Sequence, residues 1–453
     1  MELPAVLADI VRSALLLLKK LVYFFRKNIF SRTTDGVFST VFMLGDSCQK
    51  TFDPKKYIDP VKGIFIGLSN YGDPIFRPLQ MIQKNHIAFI GESGCGKTMA
   101  ATSILAQCAK HFDECSIIFD PKNDKYMLNT LHNYHDDSSK FHVLDLSPDA
   151  PPQINPFHGA SAAEVEMMLI SALQLFNSGN SGVDFYRAED RDAARLSADI
   201  IHNKKTCFPE FLSIAGSIKA ISSKHAFWRD CQQLGFIPAL QAHSGLSIAD
   251  TIKPGNILYV IGNTSQPRVQ AAIRLILQRV IQIAEKRDQQ YCKSIGIFID
   301  EIRYVLSEVM LTSLSTIRDK NVHLLIAFQD VGNLLEATCV NPKAVESIIM
   351  TNTSIKFVYR ISHAQTLSTL EKISGCIYTK NIAIPRIPAG LISHLPKPQN
   401  SSHASVGIIF GDGPAYIVRC APLHLSSCTD LNKIMINSHP RCNNGIYSPH
   451  DLI

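Results

Sequence analysis

Two common signatures are missing from this 453-residue sequence: a run of about 18 uncharged apolar residues and a pair of cysteines in Cys-x-x-Cys spacing. The first absence argues against a membrane-spanning helix, and the second argues against a zinc framework. The 12 cysteines are therefore expected to be reduced thiols in a cytoplasmic protein. No strip of basic residues interleaved with aromatic ones marks a nucleic-acid surface, and the net charge of +6 permits a nucleic-acid partner without requiring one.

The N-terminal segment, residues 1–30, combines apolar and charged positions in a helical pattern. Asp9, Arg12, Lys19 and Lys20 interrupt the apolar residues, and no small-residue cleavage site follows, which argues against a signal peptide. The apolar side chains fall on one side of a helix and the charged ones on the other. A basic amphipathic helix of this kind suits a membrane surface or a partner's groove, and it suits packing on its own domain equally well.

The length and composition predict a folded protein of two or three domains, with 46% hydrophobic and 19% charged residues. Apolar runs that alternate with helical segments predict an α/β fold with a mostly parallel sheet covered on both faces. Seven runs are predicted as strands: residues 86–90, 116–120, 141–145, 256–262, 295–300, 322–328 and 354–361. Two later runs, 405–410 and 415–420, predict a hairpin across a Gly-Asp-Gly-Pro turn.

Strand signals stop in the middle of the chain, where the apolar residues recur with helical period. This pattern predicts an all-α domain at 157–250, inserted into an α/β domain made of residues 31–156 and 251–425. A loop-like tail is predicted at 426–453.

The stretch "GESGCGKT" (residues 91–98, the phosphate loop) lies between a predicted strand and a predicted helix and fits G-x-x-x-x-G-K-[ST]. Such a loop wraps a polyphosphate with inward-pointing backbone N–H groups at the positive end of the helix. Lys97 is expected to reach the β- and γ-phosphates of ATP, and Thr98 to place its hydroxyl on Mg²⁺. The other predicted nucleotide-binding residues are Gly91, Glu92, Ser93, Gly94, Cys95 and Gly96. The alternative is a glycine-rich turn that matches the pattern by chance.

A pair of acids, Asp300 and Glu301, ends the apolar run "IGIFI". ATP hydrolysis needs a carboxylate for Mg²⁺ and a group that orients or activates the attacking water. Asp300 is therefore expected to hold Mg²⁺ through its water, and Glu301 to polarise the water that attacks the γ-phosphate. The alternative is that the two acids cap the next helix.

Two further residues flank the run "VHLLIAF". Gln329 follows it, and a polar side chain at the tip of a strand beside the catalytic one can touch both γ-phosphate and water and so report hydrolysis. Arg318 precedes it and is a candidate arginine finger that stabilises transition-state charge in a neighbouring subunit. The alternative for Arg318 is a solvated surface residue.

Together these motifs resemble those of the type IV coupling proteins, the conjugative DNA-transfer ATPases related to the FtsK–HerA translocases. The resemblance spans roughly residues 80 to 420 and rests on "GESGCGKT", "IIFDPKNDKY", "INPF", "IDE" and "IAFQD" in this order. It implies a RecA-like P-loop ATPase domain, nucleotide sites at the subunit boundaries of a homo-hexamer, and an all-α domain that faces the substrate. It also implies that Asp120 and Lys122 lie near the nucleotide-facing edge of the sheet.

The function implied by this resemblance is ATP-driven movement of DNA, a relaxase–nucleoprotein or an effector protein to the channel of a type IV secretion system. Family members typically carry two N-terminal transmembrane helices, whereas this sequence has the charged amphipathic segment. We therefore expect a cytoplasmic protein with peripheral contact to the inner membrane and its secretion components. Two alternatives stay open: a soluble DNA translocase, and a nucleotide-regulated assembly platform with little turnover. The sequence also leaves open whether the substrate is single-stranded DNA, double-stranded DNA or protein.

Overall fold

The computed structural model describes residues 51–423 except 178, 289–291, 336–341, 380–381, 401–402 and 412. The predicted helix at 1–30 and the predicted tail at 426–453 lie outside the described residues. The described strands are β1 (Ile64–Leu68), β2 (Pro74–Arg77), β3 (Ile87–Ile90), β4 (Cys115–Asp120), β5 (Phe141–Asp145), β6 (Ile257–Ile261), β7 (Ile295–Ile299), β8 (Val322–Phe328), β9 (Ile355–Val358), β10 (Cys376–Thr379), β11 (Ile382–Pro385), β12 (Ser405–Phe410) and β13 (Tyr416–Cys420).

Eleven of these strands form one sheet in the order β2-β1-β13-β12-β9-β3-β8-β7-β4-β6-β5. The strands from β9 to β5 in this order are parallel, and they are the seven strands that the apolar runs predict. β12 and β13 form the predicted hairpin, and β12 pairs antiparallel with β9. The predicted α/β fold with a mostly parallel sheet is therefore confirmed.

The described helices are α1 (Leu79–Gln83), α2 (Lys97–Phe112), α3 (Lys125–His135), α4 (Ala162–Leu173), α5 (Ser181–Lys204), α6 (Phe208–Gly216), α7 (Lys219–Ser222), α8 (His225–Gly235), α9 (Ile248–Thr251), α10 (Pro267–Glu285), α11 (Glu308–Thr316), α12 (Val331–Leu335), α13 (Pro342–Asn352), α14 (Ala364–Ile373) and α15 (Ala389–Ser393). No helix among the described residues is both long and apolar enough to cross a bilayer.

The sheet separates two hydrophobic cores, because successive side chains of a strand point to opposite faces. Phe298 belongs to the core that contains residues of α2 and α3. Ile297 and Ile299 belong to the other core, which contains residues of α4, α10 and α11. The near-continuous apolar runs of the central strands are thus explained by burial on both faces.

The helices α4 to α9 lie between β5 and β6, where the sequence predicts an all-α insertion. The first of them, α4, packs along α10 and shares its core with the sheet. Arg274 of α10 donates to the carbonyl of Ala172 at 2.9 Å, and Gln282 donates to the carbonyl of Glu164 at 2.9 Å. Since this helix and the sheet share one core, the domain boundaries at 157 and 250 stay a prediction.

Four strands are not indicated by the sequence pattern. β1 and β2 lie in the turn-rich stretch before the phosphate loop and extend the antiparallel end of the sheet. β10 and β11 form a separate hairpin whose Tyr378 and Ile382 are exposed. β2 and β11 have exposed or half-buried side chains, so they lack the buried apolar run by which the central strands are recognised.

Candidate active site

Four neighbouring parallel strands, β3, β8, β7 and β4, end at one edge of the sheet. Ile90 of β3 lies opposite Phe328 of β8, and Phe119 of β4 lies opposite Ile299 of β7. The residues that follow these strand ends carry the phosphate loop, Gln329, the two acids and Lys122. Ligands of open α/β sheets bind at this carboxyl edge.

The phosphate loop connects β3 to α2, and its backbone requires glycine. Gly94 and Gly96 have φ angles of +75° and +105°, which only glycine adopts without strain. The N–H of Gly91 donates to the carbonyl of Phe328 at 3.2 Å, and that of Glu92 donates to the carbonyl of Arg360 at 2.9 Å. The loop is therefore attached to the ends of β8 and β9, and α2 begins at its end with Lys97.

The side chains of the phosphate loop differ in exposure. Lys97 is 5% exposed, and its ammonium donates to the carbonyl of Gly91 at 2.5 Å and to that of Glu92 at 3.0 Å. Ser93 and Gly94 are exposed, whereas Thr98 is half-buried. Cys95 is buried and donates to the carbonyl of Glu92 at 2.8 Å, and burial raises the pKa of its thiol.

Asp300 and Glu301 follow β7 and are 3% and 1% exposed. The carboxylate of Asp300 accepts the backbone N–H of Glu301 at 3.1 Å, and Glu301 has the left-handed φ of +46°. Burial raises the pKa of Asp300, while Lys122 and Lys97 lower it. The side chain of Glu301 makes no capping hydrogen bond to the 3₁₀ turn that follows, so the capping alternative has no support in its contacts.

Gln329 follows β8 and reaches the candidate catalytic acid. Its Nε2 donates to Oε1 of Glu301 at 3.3 Å. The structure therefore brings together Gln329 and the carboxylate whose water it is predicted to report on.

Arg318 lies in the 3₁₀ turn Ile317–Lys320 before β8 and is exposed. Parallel strands begin at the edge opposite to that where they end, so Arg318 lies at the amino edge of the sheet, away from its own phosphate loop. The pKa of His86, which precedes β3, is lowered by burial and then by the charges of His323 and Arg318, so Arg318 lies near this histidine. Its role in a neighbouring subunit stays a prediction.

Lys122 is the site residue whose contacts the sequence does not indicate. Its Nζ lies 2.6 Å from Oε1 of Glu301 and 3.6 Å from Oδ2 of Asp300. Burial by itself lowers the pKa of Lys122, but the two acids outweigh it and hold that pKa above its usual value. The sequence places Lys122 near this edge of the sheet only through the family resemblance, and no local pattern shows that it pairs with both acids.

Asp120 holds the turn that carries Lys122. Its carboxylate accepts the N–H of Lys122 at 3.0 Å, the N–H of Asp124 at 2.5 Å and the hydroxyl of Tyr259 at 2.6 Å. Burial raises the pKa of Asp120 to about 6, although the hydrogen bonds from Tyr259 and from the N–H of Asp124 oppose the rise. Asp120 therefore fixes the backbone beside the two acids.

A second group of residues, which the sequence does not single out, surrounds Glu92 of the phosphate loop. Lys397 lies 2.5 Å and Arg360 3.9 Å from its carboxylate, and the hydroxyl of Ser362 donates to it. The hydrogen bonds from Lys397 and then Ser362 lower the pKa of Glu92. Arg360 is the second-last residue of the predicted strand 354–361, but Lys397 lies in a loop about 300 residues downstream of Glu92, where no local signal identifies it.

The oxygen atoms at this edge suit a hard divalent cation. Asp300 is a buried carboxylate near Lys97, and Thr98 adds a hydroxyl at the start of α2. Oε2 of Glu301 is buried and has no hydrogen-bond partner among the described residues. Carboxylates, hydroxyls, water and phosphates are the ligands that Mg²⁺ prefers, so the donor set fits this metal.

The fold is similar to that of conjugative coupling proteins. The plasmid coupling protein TrwB, in complex with ADP and Mg²⁺, superposes with a TM-score of 0.63 at 13% identity over 83% of this chain and 94% of that chain. VirB4 of Thermoanaerobacter pseudethanolicus superposes with a TM-score of 0.53 at 13% identity over 82% of this chain and 98% of that chain. The predicted resemblance to coupling proteins is confirmed at the level of the fold.

The sequence is similar to Mobilization protein A of Escherichia coli, with 25% identity over 312 residues. The aligned region is 68% of this chain and 57% of that protein, so the chain spans little more than half of this relative. No protein-family model matches the chain.

Proposed function

We propose that the chain is an ATP-driven coupling protein of a type IV secretion or conjugation system. It recruits DNA, a nucleoprotein or a protein substrate and moves this substrate to the export channel. The observation that carries the proposal is the meeting of the phosphate loop, the two buried acids and Gln329 at the carboxyl edge of four parallel strands. A glycine-rich turn that matched by chance would not require these partners beside it.

Each side chain of the site has a role in the proposed hydrolysis. The phosphate loop binds the ATP phosphates through its N–H groups and Lys97, whose ammonium exchanges the carbonyls of Gly91 and Glu92 for phosphate oxygens. Thr98, through its hydroxyl, and Asp300, through a bound water, would hold Mg²⁺, which would supply charge neutralisation on the phosphates. Glu301 polarises the attacking water. Gln329, which donates a hydrogen bond to Glu301, touches both the γ-phosphate and the water and so reports hydrolysis.

The proposed partners follow from the proteins that the chain resembles. TrwB is a plasmid coupling protein, and the similar Escherichia coli protein is a mobilization protein. By analogy we infer substrates of DNA, relaxase–nucleoprotein or effector protein, inner-membrane secretion components as partners, and assembly of the chain into a homo-hexamer. The chain is then a cytoplasmic protein that contacts the inner membrane peripherally.

The experiment that tests the proposal is ATP hydrolysis by the purified chain over a range of protein concentrations, with single-stranded DNA, with double-stranded DNA and without DNA. A coupling motor that acts on DNA is expected to turn over faster as both DNA and protein concentration rise. An ATP turnover rate that DNA does not change would indicate a protein substrate. Binding of ATP without turnover would support an assembly platform instead.

Two variants test whether the measured ATP hydrolysis depends on the predicted site. Lys97→Ala is expected to abolish hydrolysis because the phosphates lose their mobile cation. Glu301→Gln is expected to retain bound ATP without hydrolysing it, because an amide binds the water but does not take its proton. Substantial turnover by either purified variant contradicts the assignment of the site.

A further inference from the structure

We propose that Lys122 and Mg²⁺-nucleotide compete for the same two carboxylates. In the protein without nucleotide Lys122 pairs with both Asp300 and Glu301, and it must leave Glu301 before that carboxylate can act on water. The inference rests on the proposed ATP-binding function and adds a positioning residue to it.

The ammonium of Lys122 contacts the carboxylate oxygen of Glu301 that also accepts from Gln329. Its ammonium lies 2.6 Å from Oε1 of Glu301, and Gln329 donates to the same oxygen at 3.3 Å. A carboxylate oxygen that accepts a short charge-assisted hydrogen bond is a weaker base towards water. Glu301 in this arrangement is therefore positioned at the site but restrained from the chemistry proposed for it.

The burial of the two acids explains why a cation is needed there. Asp300 and Glu301 are adjacent in sequence and 3% and 1% exposed. Two neighbouring buried carboxylates without a cation are costly, because each has lost its water and they repel one another. Lys122 supplies one positive charge within 3.6 Å of both.

The turn that carries Lys122 allows the side chain to move alone. Asp120 fixes the backbone through the N–H groups of Lys122 and Asp124, and Tyr259 fixes Asp120 in turn. The side chain of Lys122 is 36% exposed, in contrast to the acids, and lysine has a flexible four-carbon stem. The ammonium can therefore turn towards solvent or phosphate while the turn keeps its place.

A divalent cation at Asp300 would drive this movement. Mg²⁺ and the ammonium carry the same sign, and at contact distances like charges near one carboxylate repel strongly in a buried site. Binding of one then weakens binding of the other, so removal of the lysine charge should make the metal easier to bind. A lysine with only a structural role would give the opposite result, because its loss would loosen the acids that bind the metal.

The test measures binding of a fluorescent non-hydrolysable ATP analogue to the 453-residue protein as a function of Mg²⁺ concentration. For Lys122→Met, the Mg²⁺ concentration at half-saturation is expected to fall about tenfold, the size of one charge-assisted hydrogen bond. Lys122→Arg keeps the charge and is expected to behave like the wild type. Lys110→Met is the matched control, since Lys110 is 31% exposed, pairs with Asp136 and lies on the far end of α2.

Thermal unfolding provides a readout that does not depend on activity. Without nucleotide, Lys122→Met is expected to unfold at a lower temperature than the wild type, because two buried carboxylates lose their cation. Saturating Mg²⁺ and ATP analogue are expected to remove this difference. The Lys110→Met control is expected to keep whatever difference it has under both conditions.

Two results overturn the inference: an unchanged or higher Mg²⁺ requirement in Lys122→Met, or a loss of thermal stability that persists with Mg²⁺-nucleotide bound. If Lys122→Met does not fold, the comparison is made in the Glu301→Gln background, which removes one of the two negative charges. The Mg²⁺ concentration at half-saturation is expected to fall there too. An unchanged concentration in that background would also overturn the inference. A wild type that binds no nucleotide at any Mg²⁺ concentration refutes the proposed function itself. If the wild type binds nucleotide and Lys122→Met requires the same Mg²⁺ concentration, only the role of Lys122 is refuted.

Discussion

At the scale of single residues, the phosphate loop depends on two glycines that share a left-handed backbone but differ in their surroundings. A Cβ atom added to Gly96 would lie 2.2 Å from Cβ of Ser405 in β12, whereas nothing lies within 4 Å of a Cβ added to Gly94. Alanine substitutions at the two positions therefore distinguish the cost of backbone strain, at Gly94, from the added cost of steric overlap, at Gly96. Gly96 also lets the loop lie directly against the hairpin strand β12.

We predict that Gly96→Ala destabilises the protein more than Gly94→Ala. Gly94→Ala is expected to cost about 1 kcal/mol from backbone strain alone. Gly96→Ala must also displace Ser405, which is expected to cost about 1–3 kcal/mol more, as overpacking of a core does. The measurement is the free energy of unfolding in urea for both variants. Equal losses would show that contact with β12 does not shape the loop.

At the scale of elements, His86 joins β3 to β8 at the edge opposite the site. It is fully buried, and its Nδ1 accepts the N–H of Leu324 at 2.9 Å. Burial lowers its pKa from 6.5 to about 4, with smaller contributions from His323 and Arg318. The folded protein therefore holds His86 neutral at pH values where the unfolded chain protonates this residue.

The sign of the resulting pH dependence follows from linkage. Because the folded pKa lies below the unfolded one, the contribution of His86 to stability is fully present above pH 6.5 and is lost as the pH falls towards 4. We predict that the wild type loses about 2 kcal/mol more unfolding free energy than His86→Asn between about pH 7.5 and pH 5. Asparagine keeps a hydrogen-bond acceptor and does not titrate. Urea denaturation at both pH values measures the difference, and equal acid sensitivity would contradict it.

At the scale of the whole molecule, substitution of Arg318 tests whether ATP hydrolysis requires contact between subunits. It is exposed at the amino edge of the sheet, so a catalytic role requires a neighbouring subunit. We predict that Arg318→Ala lowers ATP hydrolysis roughly a thousandfold, the contribution of an arginine finger.

Mixing identifies the subunit on which Arg318 acts. Lys97→Ala subunits have an inactive site but keep Arg318, and Arg318→Ala subunits have the reverse. A mixture of the two is expected to regain activity, because the intact site of an Arg318→Ala subunit can then receive Arg318 from a neighbouring Lys97→Ala subunit. Replacing Lys97→Ala by the double variant Lys97→Ala/Arg318→Ala is the control and should restore nothing. An unchanged rate for Arg318→Ala alone would remove the finger role.

The sequence by itself determined the parallel part of the sheet and the phosphate loop. Its seven apolar runs became the seven parallel strands, with β5 and β8 at the predicted bounds. These features are predictable because their patterns are local. Burial on both faces of a strand requires consecutive apolar residues, and a tight phosphate-binding turn requires glycines at fixed spacing.

Only the tertiary structure decided which side chains meet at that edge. Lys122 and Glu301 are 179 residues apart, and their contact exists because β4 lies beside β7 in the sheet. The contact of Lys397 with Glu92 likewise depends on the loop before β12 passing the phosphate loop. The shared core of α4, α10 and the sheet was equally absent from the local pattern. Strand order and packing join residues that are distant in sequence, so no periodicity or spacing within a short stretch records them.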